Sequence, residues 1–141
     1  MKTPTKPRGA SRSELDMPTE PVTPALPRNF LRACVLLLLR EQPAHGYDLL
    51  ERLAAFGYDR SDPGAIYRTL RSLEQVGLVH SAWEPSGSGP DRRIYELTRT
   101  GMESLHDQAK ALLAGSQTIG SFLSRYQEFV ALDAPRTSAR A

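Results

Sequence analysis

From Asn29 to Glu41 (NFLRACVLLLLRE) the chain is apolar on nearly every side of a helical cylinder until Arg40, and beyond that run the apolar positions narrow to stripes. Asn29 is an N-cap type of residue, so this segment reads as a buried central helix. Pro43 breaks it. In AHGYDLLERLAAFG, Tyr47, Leu50 and Leu53 or Ala54 recur at helical spacing, and Gly57 is placed to end a second, amphipathic helix. After the short connection YDRS, Asp62 and Pro63 supply an N-cap carboxylate and a first-turn proline, and Gly77 closes the third helix. LVHSAWE and RRIYELT then read as extended segments flanking PSGSGPD, a flexible tip, and together predict a two-stranded ribbon.

Thr98 is placed to cap a last helix. From Met102, apolar or small residues recur at 102, 105, 109, 112, 116, 119, 123, 126 and 130, the spacing of a helix–helix seam. Gly115, Ser116 and Gly120 interrupt the pattern, so one helix or two segments are expected over 99–132, with a frayed tail at 133–141. At the other end, 6 of the 11 prolines fall within the first 27 residues, and residues 1–28 hold few large apolar side chains. Burial there does not offset the entropy of ordering, which predicts a disordered arm ahead of a folded unit over 29–98.

Helix, helix, turn, helix and hairpin in that order is the winged helix-turn-helix arrangement. The fold expected is mainly α with a small β-hairpin, plus a C-terminal dimerisation helix. In this arrangement the third helix enters the major groove. Projected at about 100° per residue, Ile66, Thr69, Leu70, Leu73 and Val76 share one arc. Gly64, Arg68, Arg71 and Gln75 lie opposite, with Tyr67 and Ser72 at the borders. Arginine and glutamine pair in two-pronged fashion with guanine and adenine edges, and a tyrosine hydroxyl reaches phosphate. Gly64 lets the helix N-terminus approach a backbone. A solvated helix face carries the same residue types, so the ribbon matters: Arg92 and Arg93, just past its tip, are placed to meet phosphates or a minor groove.

These stretches resemble the PadR-like family of transcriptional regulators. The matching pieces are AHGYDLLERL, GAIYRTLRSLEQVGLVHSAWE and GPDRRIYELTRTG, spanning roughly residues 29–105. The resemblance implies a dimeric winged helix-turn-helix protein, in most members a repressor. Carried over by position, it implies that Tyr47 beside Gly46, then Tyr67, Arg68 and Arg71, and Arg92 with Arg93 face DNA. The single C-terminal stretch is similar to the family's shorter branch. The proline-rich arm departs from the pattern.

Charge alone is uninformative, because the net charge is only +2 and the arm's five basic and three acidic residues account for all of it. One cysteine, Cys34, leaves no disulfide framework and is expected to pack in the first helix; a cytoplasmic protein is expected. Trp83 is expected to pack the wing onto the body. His45, His80 and His106 show no metal-ligand spacing, and neither a membrane span nor a catalytic constellation is expected. No cofactor is expected beyond an unidentified small-molecule effector. Leu105, Leu112, Ile119, Phe122, Leu123, Tyr126 and Val130 make the last helix apolar, which predicts a homodimer through that helix. Two-fold pairing sets two reading helices about 34 Å apart, on an inverted-repeat operator. The reading is thus a sequence-specific, ligand-responsive repressor of double-stranded DNA. Its alternative is a winged-helix interaction module whose Arg68–Arg71 face meets an acidic protein.

Overall fold

The computed structural model describes residues 22–133, apart from 86, 88, 90 and 91 in the hairpin tip. Most of the proline-rich arm and the tail from 134 onward therefore lie outside the described residues. Helix α1 (Phe30–Glu41) is the centre of the head, burying Ala33, Cys34, Val35, Leu36, Leu38 and Leu39. It stops at Gln42, whose extended backbone (φ −171°, ψ 152°) is the conformation a following proline imposes.

The chain does not re-enter a helix at once. Ala44–His45 forms a short strand, β1, and α2 (Gly46–Leu53) starts two residues later than the sequence pattern suggests. The buried stripe of α2 is Leu49, Leu50 and Leu53, so Tyr47, expected on that stripe, stands 66% exposed. A 3-10 turn (Ala54–Phe56) and Gly57, at φ +88°, complete the helix. The turn into α3 (Pro63–Gln75) is held by Asp59, whose carboxylate accepts from the Ser61 backbone N–H at 2.8 Å and from its hydroxyl at 2.7 Å. Those two bonds, the backbone one first, keep the Asp59 carboxyl below the usual carboxylate range. Asp62 and Asn29 occupy cap positions as expected, but neither side chain makes a capping hydrogen bond.

Helix α3 buries Ile66, Leu70 and Leu73. Leu36, Leu49, Leu53, Leu70 and Leu73 are fully enclosed, and each contributes about 2 kcal/mol by leaving water. Val76, placed on the same arc by projection, is exposed instead, because the helix ends at Gln75 and Val76 has already left the helical path. Strands β2 (Val79–Glu84) and β3 (Arg92–Leu97) pair antiparallel, and β1 joins the outer edge of β3 through Ala44↔Tyr95 and His45↔Ile94. The expected hairpin is therefore part of a three-stranded sheet, ordered β1-β3-β2.

Helix α4 (Arg99–Asp133) runs unbroken for 35 residues, through Gly115, Ser116 and Gly120. Its first turn is capped as expected: the Thr98 hydroxyl oxygen accepts from the Gly101 N–H at 2.9 Å. The same hydroxyl donates to Gly77 O at 2.7 Å, and the Thr98 N–H donates to Leu78 O, which fastens the start of α4 to the chain just past α3. Gly101 is buried against the Leu78 carbonyl and the Leu97 side chain, with no room for a Cβ. The first turns of α4 lie along α1; beyond Leu112 the helix leaves the head and is exposed.

Candidate nucleic-acid interface

With Ile66, Leu70 and Leu73 turned into the core, α3 presents Arg68, Arg71 and Gln75 to solvent. Gly64 leaves a space above the first turn that the Arg68 guanidinium fills, its Nη1 standing 3.0 Å from where a Cβ would be. Tyr67, at one border of the exposed face, is 40% exposed and lays its ring over Gly46. Gly46 is therefore not itself an outward-facing position as expected: it is buried, and its bare backbone receives the ring. Its neighbour Tyr47 projects freely from the first turn of α2.

The wing approaches from the same side. Strand register brings Ser81 opposite Tyr95 and Trp83 opposite Arg93, so these four side chains share one face of the ribbon. Arg93 Nε donates to Ser81 Oγ at 2.9 Å, and Ser81 Oγ donates to Glu74 Oε2, on α3, at 2.6 Å. The Arg93 guanidinium also lies 4.0 Å from Glu74 and 5.0 Å above the Trp83 ring. Beneath them Tyr95 is buried, which pushes its phenol pKa up despite the opposing charge of Arg93. The two wing arginines thus differ. Arg92 is exposed at the start of β3, whereas Arg93 is half-buried and braces the wing against α3.

Trp83 does not pack the wing onto the body as expected. It is 62% exposed and serves as the platform for Arg93. Sequence reasoning missed Glu74 and Ser81; the two-residue alternation Ser81–Trp83 against Arg93–Tyr95 was the available signal. It also missed His45, whose Nε2 lies 2.8 Å from Glu84 of the wing while Nδ1 lies 3.4 Å from Asp48. That cluster joins β1, α2 and the distal end of β2.

Among the dimerisation candidates, Leu105 packs against the core of its own head and Leu112 is half-buried beside α1. Ile119, Phe122, Leu123, Tyr126 and Val130 are exposed, with the Phe122 and Tyr126 rings stacked at 6.5 Å between centroids. Cys34 is buried, and burial raises its thiol to about 11, which suits packing rather than reactivity. Among the described residues no cluster of His, Cys, Asp and Glu could hold a metal ion, and no helix is long and apolar enough to cross a membrane.

An arginine-bearing third helix, a bracing hairpin and a long trailing helix define a DNA-binding winged helix-turn-helix regulator. The sequence model of the PadR-like transcriptional regulator family matches residues 35–107, and the chain belongs to that family. It is 37% identical over 89 residues to transcriptional regulator Rv3488 of Mycobacterium tuberculosis, a match covering 60% of this chain and 81% of that protein. Among solved structures, a PadR-family transcriptional regulator from Eggerthella lenta is 33% identical with a TM-score of 0.59, covering 68% of this chain and 83% of that one. A PadR-like transcriptional regulator from Bacillus cereus is 26% identical with a TM-score of 0.59, covering 68% and 93%.

Proposed function

We propose that two copies of this chain pair through the apolar face of α4 and present their α3 helices and wings to the two halves of an inverted-repeat operator. In this reading the protein is a cytoplasmic repressor. Arg71 and Gln75, with Arg68 one turn before Arg71, read base edges; Tyr47, Tyr67 and Arg92 hold phosphates; Arg93 keeps the wing in register with α3. A small molecule lodged in the α4 seam relieves repression by shifting the pair between two geometries of unequal DNA affinity.

One observation carries the reading: the head presents an exposed row of Arg68, Arg71 and Gln75 and, on the same chain, leaves Ile119, Phe122, Leu123 and Tyr126 uncovered. The first feature fits a groove edge and the second fits a second copy of itself.

Selection of bound duplexes from a random pool tests it. The expected product is a site with two related, inverted halves, bound two chains per duplex. Arg71→Ala then lowers the preference for that site over random duplex by roughly 5- to 100-fold, while Arg92→Ala weakens both alike. A reporter placed behind the selected site should fall silent when the chain is expressed. Recovery of no common sequence, with stronger binding to an acidic polypeptide than to any duplex, would sink the reading in favour of a protein-docking module.

A further inference from the structure

On the side of α3 away from the wing, Arg68 shares a groove with Arg28, just ahead of α1, and Arg32, in the first turn of α1. Arg28, Arg32 and Arg68 line one open groove of about 340 Å³, together with Asn29, Thr69 and Ser72. No carboxylate lines it. Arg32 Nη1 donates to Ser72 Oγ at 3.0 Å, which pins its guanidinium to α3 and leaves its other N–H groups available. Arg52, Arg60 and Arg93 each face a carboxylate; among the described residues Arg28, Arg32 and Arg68 pair with none, as is true of Arg40, Arg71, Arg92 and Arg99, but the first three share this groove. Asp62 lies near Arg68 on the Gly64 side without reaching ion-pair distance; the three like charges in the groove oppose one another, and a bound anion reduces that opposition.

A helix seated in the major groove has a sugar–phosphate strand on either flank. The wing, braced through Glu74, reaches one flank of α3. The arginine groove occupies the other, next to the row that includes Arg68. We infer that this groove is a seat for a backbone phosphate of the DNA duplex, with Arg28 and Arg32 clamping the strand on the far side of the reading helix from the wing. The inference rests on the DNA-reading function proposed above and adds α1 to the contact surface. Because phosphates carry no sequence, the clamp of Arg28 and Arg32 sets affinity and register, and base choice stays with Arg68, Arg71 and Gln75.

The test is a salt titration of the full chain on its selected site and on random duplex, for the wild type, Arg28→Gln, Arg32→Gln, the double variant and Ser72→Ala. Each arginine variant is expected to weaken both duplexes equally, by about 3- to 10-fold at moderate salt, and to reduce the slope of log affinity against log salt by about one. Ser72→Ala breaks the same hydrogen bond as Arg32→Gln and keeps the charge, so it should keep the wild-type slope. A double variant with wild-type affinity and slope overturns the clamp while leaving the DNA-reading function standing. A slope change in Ser72→Ala equal to that of Arg32→Gln overturns it too, since Arg32 would then act only by placing α3. A double variant that loses an acidic polypeptide but no duplex assigns the groove to protein instead. A wild-type chain that ignores every duplex ends both readings at once.

Discussion

The ring of Tyr67 lies across the backbone of Gly46 so closely that a Cβ on the glycine would stand 2.5 Å from Tyr67 Cε1 and 2.7 Å from its hydroxyl oxygen. This contact ties the start of α2 to the reading helix. Gly46→Ala is therefore expected to destabilise the fold by about 1–3 kcal/mol. In a Tyr67→Ala background the same substitution should cost much less. Urea unfolding of the four proteins in a double-mutant cycle checks it, and independent, additive losses would mean the contact is not the cause.

The two wing arginines should separate experimentally. Arg93→Ala removes the bond to Ser81 and the stacking on Trp83, and is expected to lower stability by roughly 0.5–1.5 kcal/mol along with DNA affinity. Arg92 is exposed, and its side chain makes no hydrogen bond or ion pair among the described residues, so Arg92→Ala should leave the melting temperature within a degree or so of wild type and weaken duplex binding alone. Thermal melts beside a binding titration decide between these roles.

Replacing Phe122 and Tyr126 together by Asp puts two charges on the uncovered face of α4 while leaving the head's core untouched. The expected outcome is a monomer with the helical content retained, and a loss of at least tenfold in affinity for a two-half site. Sedimentation velocity with circular dichroism reads both. A wild-type chain already monomeric at micromolar concentration would refute the pairing.

The Cys34 thiol has a folded pKa of about 11, raised from 9.0 by burial. The fold favours the neutral thiol, so its contribution is complete below pH 9 and is lost as pH rises toward 11, where an unfolded chain ionises first. The thiol's share of that loss is on the order of 2 kcal/mol. Cys34→Ala should flatten the fall in stability between pH 9 and 11 relative to wild type, measured by urea unfolding across that range.

Where local rules operate, the sequence was readable. The period of Ile66, Leu70 and Leu73 defined the buried side of α3, and Gly57 and Gly77 marked helix ends through their left-handed backbone (φ +88° and +80°). What escaped was set by contacts distant along the chain. A strand of two residues has no alternation to detect, and β1 exists because Ala44 and His45 find Ile94 and Tyr95. Val76, which projection placed on the buried arc, is exposed because projection assumes a helix that has in fact ended. Tyr47 and Leu49 flank the Leu50–Leu53 row of α2 on opposite sides, and only the packed head shows that the side of Leu49 is the buried one. At Gly115 and Gly120 the cost of glycine in a helix, about 1 kcal/mol each, was not enough to interrupt α4. The wing residues announced a charged surface, and their alternation placed Arg93 on the face of Trp83, but nothing in their order showed that Arg93 is also committed to Glu74 on α3.

Thr98 and Gly101 make the long helix a lever whose fulcrum touches the chain one step past the reading helix. At about 1.5 Å per residue it extends some 50 Å, so a swing of about 5° at the fulcrum carries the distal end through about 4 Å. The gearing also runs backward: in the proposed pair, parting the two distal ends by the width of one aromatic ring rotates each head by only a few degrees. If two heads meet successive turns of one rigid duplex, as proposed, a few degrees each is enough to put them out of step.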